Sequence, residues 1–212
     1  MAKYFRYFPT TYYIQNEQQA DIVTDIISRF SFEQSLIEND AAYYEYEIKD
    51  SDTPEIVAGK FYGNPERHWI VLNYNQIVDP QWDWPLQYPV FINYVDKKYT
   101  ASADTANGQT GLAYAQSTTK EYFKVVTRTD NAATENQIIE KLEIDAGTYA
   151  NTAAASITKT LNDGTSLTIS TTKETRSYYD YEDAENEKKR NIKLLKQEFV
   201  QSVEKEFKRV IK

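Results

Sequence analysis

The chain of 212 residues is long enough to bury a substantial core, and we expect two unequal parts rather than one. Its hydrophobic content of 41% is too high for a disordered chain. Its net charge of −8 argues against a phosphate-neutralising surface, so we do not expect nucleic acid as a partner. The absence of cysteine excludes thiolate catalysis, sulfur-ligated zinc and disulfide bonds.

The sequence carries no sign of a membrane segment or of export. No stretch approaches the roughly 18 apolar residues of a membrane span, and the opening "MAKYFRYFPTTYYIQ" lacks the apolar run of a signal peptide. We therefore expect no membrane partner, and assembly in a reducing cytoplasm. The 18 tyrosines are typical of recognition surfaces, because the ring covers a large area and keeps a polar tip.

The first fifty residues contain one clear strand. The stretches "KYFRYFPTTYYI" and "DIVTDIISRFSF" are compatible with either a strand or a short helix. In "AAYYEYEIKD", aromatic and acidic residues alternate with a period of two, which predicts a half-exposed strand.

Two short helices follow. In "DTPE", Asp52 or Thr53 can cap a helix whose first turn contains a proline and which ends at Gly63. The pair Asn64 and Pro65 repeats the signal for a second helix that extends to about Tyr74. We expect the following apolar residues to form the core between the two helices: Ile56, Phe61, Trp69 and Leu72.

An aromatic, proline-punctuated strip comes next. Asp79-Pro80 predicts a turn, and "WDWPLQYP" predicts an extended segment. Its large rings, Trp82, Trp84 and Tyr88, are candidate partner-binding residues, although the two tryptophans could equally complete the domain core. The following "YPVFINYVDKKY" predicts a short helix.

The middle of the chain has a different composition. The small, polar stretch "TASADTANGQTGLAYAQSTT" predicts a linker or long loop. Four strand-like runs follow: "EYFKVVTR", "IIEKLEI", "SITKTL" and "SLTISTT". The last two flank Asn162-Asp163-Gly164, which is a strong hairpin signal.

The C-terminal segment has no glycine or proline after Asp183, and its apolar residues recur at steps of three and four, which predicts a long amphipathic helix. This stripe either folds back onto the N-terminal domain or docks in another subunit. As candidate partner-binding residues it contains Ile192, Leu195, Phe199, Val203, Phe207 and Val210. Because the stripe has no obvious intramolecular counterpart in the sequence, we predict that truncation before Glu185 leaves the N-terminal domain folded but abolishes assembly.

No residue pattern predicts catalysis or a cofactor. His68 is the only histidine, and its position beside Trp69 in an apolar helix indicates a structural role. The acidic run "YDYEDAENE" lacks the spacing and the glycine of an EF-hand loop, and no phosphate-binding glycine pattern occurs. We therefore expect neither an enzyme, nor a metal site, nor a cofactor.

The stretch "DTPEIVAGKFYGNPERHWIVLNYNQIVDP" resembles a LysM module. The positions that carry the resemblance are Asp52, Thr53, Ala58, Lys60, Phe61 and Asn75. The Pro-Gly that usually precedes the last LysM strand is replaced by "WDWPLQYP", on the loop that flanks the glycan groove in that family. This resemblance alone implies a peptidoglycan-binding module, which is the alternative function.

Three blocks in a fixed order resemble the base plate wedge protein 53 family of contractile-tailed phages: "FRYFPTTYY", "DTPEIVAGKFYGNPERHWIVLNYNQIVDPQWDWPL" and "YEDAENEKKRNIKLLKQEF". The match covers roughly residues 4–100 and 178–212. It implies a structural subunit of the virion tail baseplate that joins the wedge late and clamps neighbouring wedges into a ring. The implied partners are the other wedge proteins, including the sheath initiator, and the implied place of assembly is the cytoplasm of the host bacterium.

Together, these observations predict an α+β protein. We expect a LysM-like strand–helix–helix–strand wedge domain over residues 1–100, a small β-rich insertion over 101–177 and an amphipathic helix over 178–212.

Overall fold

The computed structural model describes residues 4–16, 19–130, 136–162 and 164–211, with the backbone alone at 15, 16 and 136. The fold is mixed α+β, as predicted. It divides into two compact units, which we call the terminal unit (Met1–Tyr88 with Asn186–Lys212) and the inserted unit (Pro89–Glu185). These unit boundaries differ from the domain boundaries predicted from the sequence, at 100/101 and 177/178. Residues 186–212 of the predicted C-terminal segment belong to the terminal unit, and residues 178–185 belong to the inserted unit.

The strands are β1 Thr10–Asn16, β2 Gln19–Thr24, β3 Tyr43–Glu47, β4 Thr119–Asp130, β5 Asn136–Ile144, β6 Ala155–Thr160, β7 Ser166–Ser177 and β8 Asn191–Leu195. The α-helices are α1 Gln34–Ile37, α2 Pro54–Tyr62, α3 His68–Tyr74, α4 Pro80–Asp83, α5 Tyr88–Tyr99, α6 Gly111–Ser117, α7 Ala146–Asn151, α8 Tyr178–Lys188 and α9 Gln197–Val210. Short 3-10 turns lie at Tyr4–Tyr7, Pro65–Arg67, Thr100–Ser102 and Thr105–Asn107. In the described ranges, no helix has the length and hydropathy that a bilayer crossing requires.

Helix α2 begins and ends where its capping residues predict, and α3 follows a capped 3-10 turn. The Thr53 side chain accepts a hydrogen bond from the backbone N–H of Ile56, and Gly63 ends α2 in the left-handed conformation at φ 66°. The Asn64 side chain then accepts from the N–H of Glu66 at 3.0 Å and starts the 3-10 turn that leads into α3. The chain therefore reverses in two residues, and the two helices pack against each other.

The centre of the terminal unit is a two-stranded sheet made from distant parts of the sequence. Strand β3 pairs antiparallel with β8, from Tyr43 opposite Leu195 to Glu47 opposite Asn191. Helices α2 and α3 lie between these strands in the chain order. The fully buried side chains of the unit include Val57, Ile70, Val71, Tyr74, Leu194 and Leu195.

The predicted core residues of α2 and α3 have different environments. Trp69 is buried, and Phe61 and Leu72 are half-buried and packed against the core. Ile56 is instead 43% exposed. Its helix buries Val57, Ala58 and Tyr62, and Ile56 lies outside this buried face.

The single helix predicted over 178–212 is replaced by helix, strand and helix. Helix α8 ends at Lys188, where the N–H of Lys189 bonds to the carbonyl of Asn186 at 3.2 Å. In the following "NIKLL", Ile192 and Leu194 alternate with polar residues at a period of two, and β8 buries both against the core. Strand pairing with β3 therefore replaces helix in the middle of the apolar stripe.

The inserted unit contains an antiparallel sheet with the order β5-β4-β7-β6. All four strand-like runs of the sequence lie in it, and β6 pairs with β7 from Thr160 opposite Ser166 to Ala155 opposite Thr171, which confirms the predicted hairpin. Residue 163, which lies between the two strands in the sequence, is outside the described residues. Gly164 has a φ of 83°, in the left-handed region that glycine tolerates.

The stretch predicted as a linker contains helix α6. The Thr110 side chain caps it by accepting from the N–H of Ala113 at 3.1 Å. A Cβ at Gly111 would lie 2.0 Å from the carbonyl oxygen of Asp96, so only glycine permits the close approach of α6 to α5. The Asp96 carboxylate also accepts from the N–H of Leu112 at 2.8 Å.

Candidate interaction surfaces

An exposed hairpin projects apolar side chains into solvent. Strands β1 and β2 form a two-stranded sheet of their own, and we call residues 10–24 the arm. Tyr12 is paired with Ile22, and their side chains are 73% and 68% exposed. Ile14 lies on the same face and is also exposed. Because a two-stranded hairpin is marginally stable alone and exposed apolar patches mark interaction sites, the arm is a candidate binding element.

A tight turn fixes the base of the arm. The N–H of Asp25 donates to the carbonyl of Pro9 at 2.8 Å, which closes the hairpin. The Asp25 carboxylate accepts from the hydroxyl of Ser28 and from the N–H of Ile27, and these hydrogen bonds lower its pKa. The sequence alone did not distinguish a strand from a helix in the arm, because the period-two alternation is weak in "TTYYI".

The aromatic strip predicted to bind a partner divides into interior and surface residues. The indole N–H of Trp84 donates to the carbonyl of Asp52 at 2.9 Å, and the side chain is only 7% exposed. This corrects its assignment as a surface anchor. Trp82, 57% exposed on α4, and Tyr88, at the start of α5, present their rings to solvent.

The C-terminal stripe folds back onto the terminal unit, which was one of its two predicted destinations. Ile192 and Leu195 are interior residues of β8, and Val203 and Phe207 are buried on α9. These four residues are therefore core residues rather than free partner-binding residues. Phe199 is half-buried against the same core, and Val210 is exposed.

Phe207 is the centre of an aromatic cluster. The centroid of its ring lies 4.7 Å from that of Trp69, 5.2 Å from that of Tyr4 and 5.5 Å from that of Phe30. Such ring pairs add to the free energy of apolar burial. The cluster joins α9 to α3, to the N-terminal 3-10 turn and to the irregular segment after the arm.

Asp52 organises a buried polar network. Its carboxylate accepts from the ammonium of Lys60 at 2.5 Å and from the hydroxyl of Tyr46 at 2.6 Å. Burial alone would raise the pKa of Asp52, but these two hydrogen bonds outweigh it and lower the pKa. Burial and the neighbouring carboxylate raise the pKa of Tyr46 to about 12. The network therefore links β3 to the first turn and the end of α2.

Asn75 joins the end of α3 to β8. Its amide donates to the carbonyls of Val71 and Lys193, both at 2.8 Å, and its oxygen accepts from the N–H of Lys193 at 2.7 Å. The side chain thus pairs with both the backbone N–H and the carbonyl of Lys193 in β8. This role is structural.

The inserted unit has a second buried carboxylate with the same kind of partners. Glu182 accepts from the ammonium of Lys98 and the hydroxyl of Tyr99, both at 2.7 Å. Burial would lower the pKa of Lys98, but the carboxylate raises it; burial and the same carboxylate raise the pKa of Tyr99. Because Lys98 and Tyr99 lie on α5 and Glu182 lies on α8, these hydrogen bonds hold the two helices together.

His68 and the acidic side chains are the residues that the sequence offers for a catalytic or metal site. The Nδ1 atom of His68 lies 3.1 Å from the carbonyl oxygen of Pro65, at the start of α3. Across those ranges, no group of three or more His, Cys, Asp and Glu side chains is arranged to hold a metal ion.

Comparison with known proteins agrees with the resemblance seen in the sequence. The sequence model of the phage family described as base plate wedge protein 53 matches residues 4–210, nearly the whole chain and including the inserted unit. A search of curated proteins gave no match. The chain therefore belongs to the phage base plate wedge protein 53 family, and it is a structural protein of the virion tail baseplate that associates with other baseplate proteins.

Proposed function

We propose that this protein clamps adjacent baseplate wedges together, and that the arm is the element that reaches the neighbouring subunit. The observation that carries the proposal is the exposure of Tyr12, Ile14 and Ile22 on one face of a hairpin that forms its own sheet. A partner that covers this face would supply the apolar burial that the arm lacks in the isolated chain.

The proposed partners are the neighbouring wedges and the other wedge proteins, including the sheath initiator. The subunit joins the wedge late, in the cytoplasm of the host. Trp82, Tyr88 and Val210 are proposed as further contact residues, because their side chains are large, apolar and exposed.

The scaffold that presents the arm is proposed to be a LysM-like module. The support for this is the order β3, α2, α3 and β8, with the two strands paired antiparallel and the inserted unit placed before the last strand. We do not propose peptidoglycan binding for this module. Three residues of the resemblance, Asp52, Thr53 and Asn75, make a helix cap and internal hydrogen bonds. Sedimentation with purified sacculi tests that alternative directly.

The clamp is tested by affinity purification of tagged protein from cells that produce the whole particle. The variants are Tyr12→Ser with Ile22→Ser in the arm, and the matched control is Ile157→Ser, an equally exposed aliphatic residue on β6 of the inserted unit. We expect the wedge proteins and the sheath initiator to be recovered with the native chain and the control, and to be lost with the arm variant. Equal recovery with all three chains would contradict the role of the arm.

A further inference from the structure

An open apolar groove lies beside the base of the arm, within the terminal unit. Its volume is about 410 Å³. The floor includes the buried rings of Phe8 and Phe32, and the rim is formed by Phe5, Ile26 and Val78, all of which are exposed. We call it the Arg29 groove.

Arg29 is the only charged residue among the described residues that line the groove. Its side chain is exposed, and it makes no hydrogen bond or ion pair within the described part of the chain. The chain as a whole carries a net charge of −8, so the one charge in the described lining is opposite in sign to the net charge of the protein.

Four carboxylates directly flank groove residues in the sequence, and each accepts a local hydrogen bond: Asp25, Glu33, Glu38 and Asp79. Asp25 accepts hydrogen bonds from the backbone N–H groups of Ile27 and Ser28. Asp83 accepts from the N–H groups of Val78, at 3.3 Å, and Asp79, at 3.0 Å. These groups stabilise local turns, and the guanidinium of Arg29 is left for an external anion.

The far wall of the groove contains a residue with unusual backbone geometry. Gln76 has a φ of 57°, in the left-handed region that residues other than glycine rarely adopt. The turn is closed by the N–H of Ile77, which donates to the carbonyl of Leu72 at 2.9 Å. This turn ends α3 and places Ile77 and Val78 in the groove wall.

We propose that the Arg29 groove binds an apolar segment of a neighbouring baseplate protein, one carboxylate of which pairs with Arg29. The proposal rests on the proposed function, since it specifies one contact of the clamp. Apolar side chains of the segment fill the floor and cover Phe5, Ile26 and Val78. Excluding water from the groove strengthens the guanidinium–carboxylate pair, and the fork of the arginine fits a carboxylate with two hydrogen bonds.

The test uses the full chain in cells that produce the particle, with a photo-crosslinking amino acid in place of Val78. The control position is Ile56, which is exposed on α2 and does not line the groove. We expect the Val78 position to cross-link to a baseplate protein, and mass spectrometry to locate the cross-link in an apolar segment that contains Asp or Glu. The control position should not cross-link to that segment.

Charge reversal at Arg29 supplies the second measurement. In Arg29→Glu, cross-linking from position 78 should fall roughly tenfold or more, because the substitution places like charges together. Arg29→Lys should retain most of it, and replacing the acidic residue of the partner by arginine should restore it in Arg29→Glu. An unchanged thermal midpoint shows that the variant is folded; if the midpoint falls, Ile26→Glu, on the exposed rim, provides the same test.

The possible results distinguish a failure of the groove proposal from a failure of the clamp proposal. If the chain that carries the cross-linker at position 78 and retains Arg29 enters particles but gives no cross-link, or gives one to a second copy of this chain, the groove proposal is overturned and the clamp is left intact. An undiminished cross-link in Arg29→Glu also overturns it. Native protein that is absent from particles overturns the clamp, and the groove proposal with it.

Discussion

The indole N–H of Trp84 and the backbone carbonyl of Asp52 form a buried hydrogen bond of 2.9 Å between residues that are 32 positions apart. The same aspartate receives hydrogen bonds from Tyr46 and Lys60 through its carboxylate. Asp52 therefore connects β3, α2 and the segment after α4 at one point. Asp52, one of the residues that carry the LysM resemblance, thus has a structural role in this unit.

Trp84→Phe should destabilise the terminal unit by about 1–3 kcal/mol, because the carbonyl of Asp52 would be left buried without its donor. The measurement is urea unfolding followed by tryptophan fluorescence, and since Trp69, Trp82 and Trp84 all belong to the terminal unit, the signal reports that unit. The control is Tyr88→Phe at an exposed ring, which should change the free energy of unfolding by less than about 0.5 kcal/mol. Similar values for the two variants would contradict the role given to this bond.

Phe207→Ala should destabilise the terminal unit by about 3–5 kcal/mol, the usual cost of removing a buried aromatic ring. The ring contacts Trp69, Tyr4 and Phe30, so the cavity would open at the centre of the aromatic cluster. Val210→Ala lies one turn further along α9 at an exposed position and should cost less than about 1 kcal/mol. The same fluorescence-detected unfolding measures both, and a small effect at Phe207 would mean that α9 packs loosely.

The position of α9 also reverses an expectation drawn from the sequence. If the C-terminal stripe were free, truncation before Glu185 would leave the N-terminal domain folded. In the structure, that truncation removes β8, the partner of β3, together with the buried face of α9. We therefore expect the truncated chain to lose cooperative unfolding, as seen by fluorescence. A sharp, native-like transition would restore the docking interpretation of the stripe.

The features predictable from sequence are those decided by neighbouring residues. Thr53 and Gly63 set the two ends of α2, and Asn64 caps the 3-10 turn that leads into α3; these residue types are visible in the sequence. The hairpin of β6 and β7 is equally local. Long-range pairing was not predictable in the same way: the alternation of Ile192 and Leu194 is a strand signal, but it is embedded in a longer helical pattern that dominates any wider window.

The candidate surfaces likewise could be predicted only in part from the sequence. Composition identified aromatic rings suited to recognition, but it could not separate Trp84, which has a buried acceptor for its N–H, from Trp82, which faces solvent. The arm and the Arg29 groove were missed because exposure of an apolar residue depends on the absence of a covering element. That absence is a property of the tertiary structure, and no local pattern encodes it.

The stability of the terminal unit should fall at acid pH. The pKa of Asp52 is lowered in the folded state, so its contribution is present above the pKa that it has when unfolded, about 4, and is lost as the pH falls through the lower folded value. Asp52→Asn should cost about 1–2 kcal/mol at pH 7 and should reduce the difference in unfolding free energy between pH 7 and pH 3. Glu45→Gln, at an exposed carboxylate on β3, is the control. If both variants keep the native pH dependence, Asp52 is not its source.

Gly111→Ala should disrupt the inserted unit, because the new Cβ would lie 2.0 Å from the carbonyl oxygen of Asp96 and 2.6 Å from the backbone nitrogen of Thr100. Neither atom belongs to a flexible side chain, so α6 must move away from α5. We expect a loss of about 2–3 kcal/mol or more, since overpacking against backbone relaxes poorly. Gly147→Ala on exposed α7 is the matched control, because its Cβ would meet only the side chain of Asp145, at 3.1 Å. Hydrogen exchange of the β4 amides measures both, and protection in Gly111→Ala equal to that of the control would show that the two helices can separate without cost.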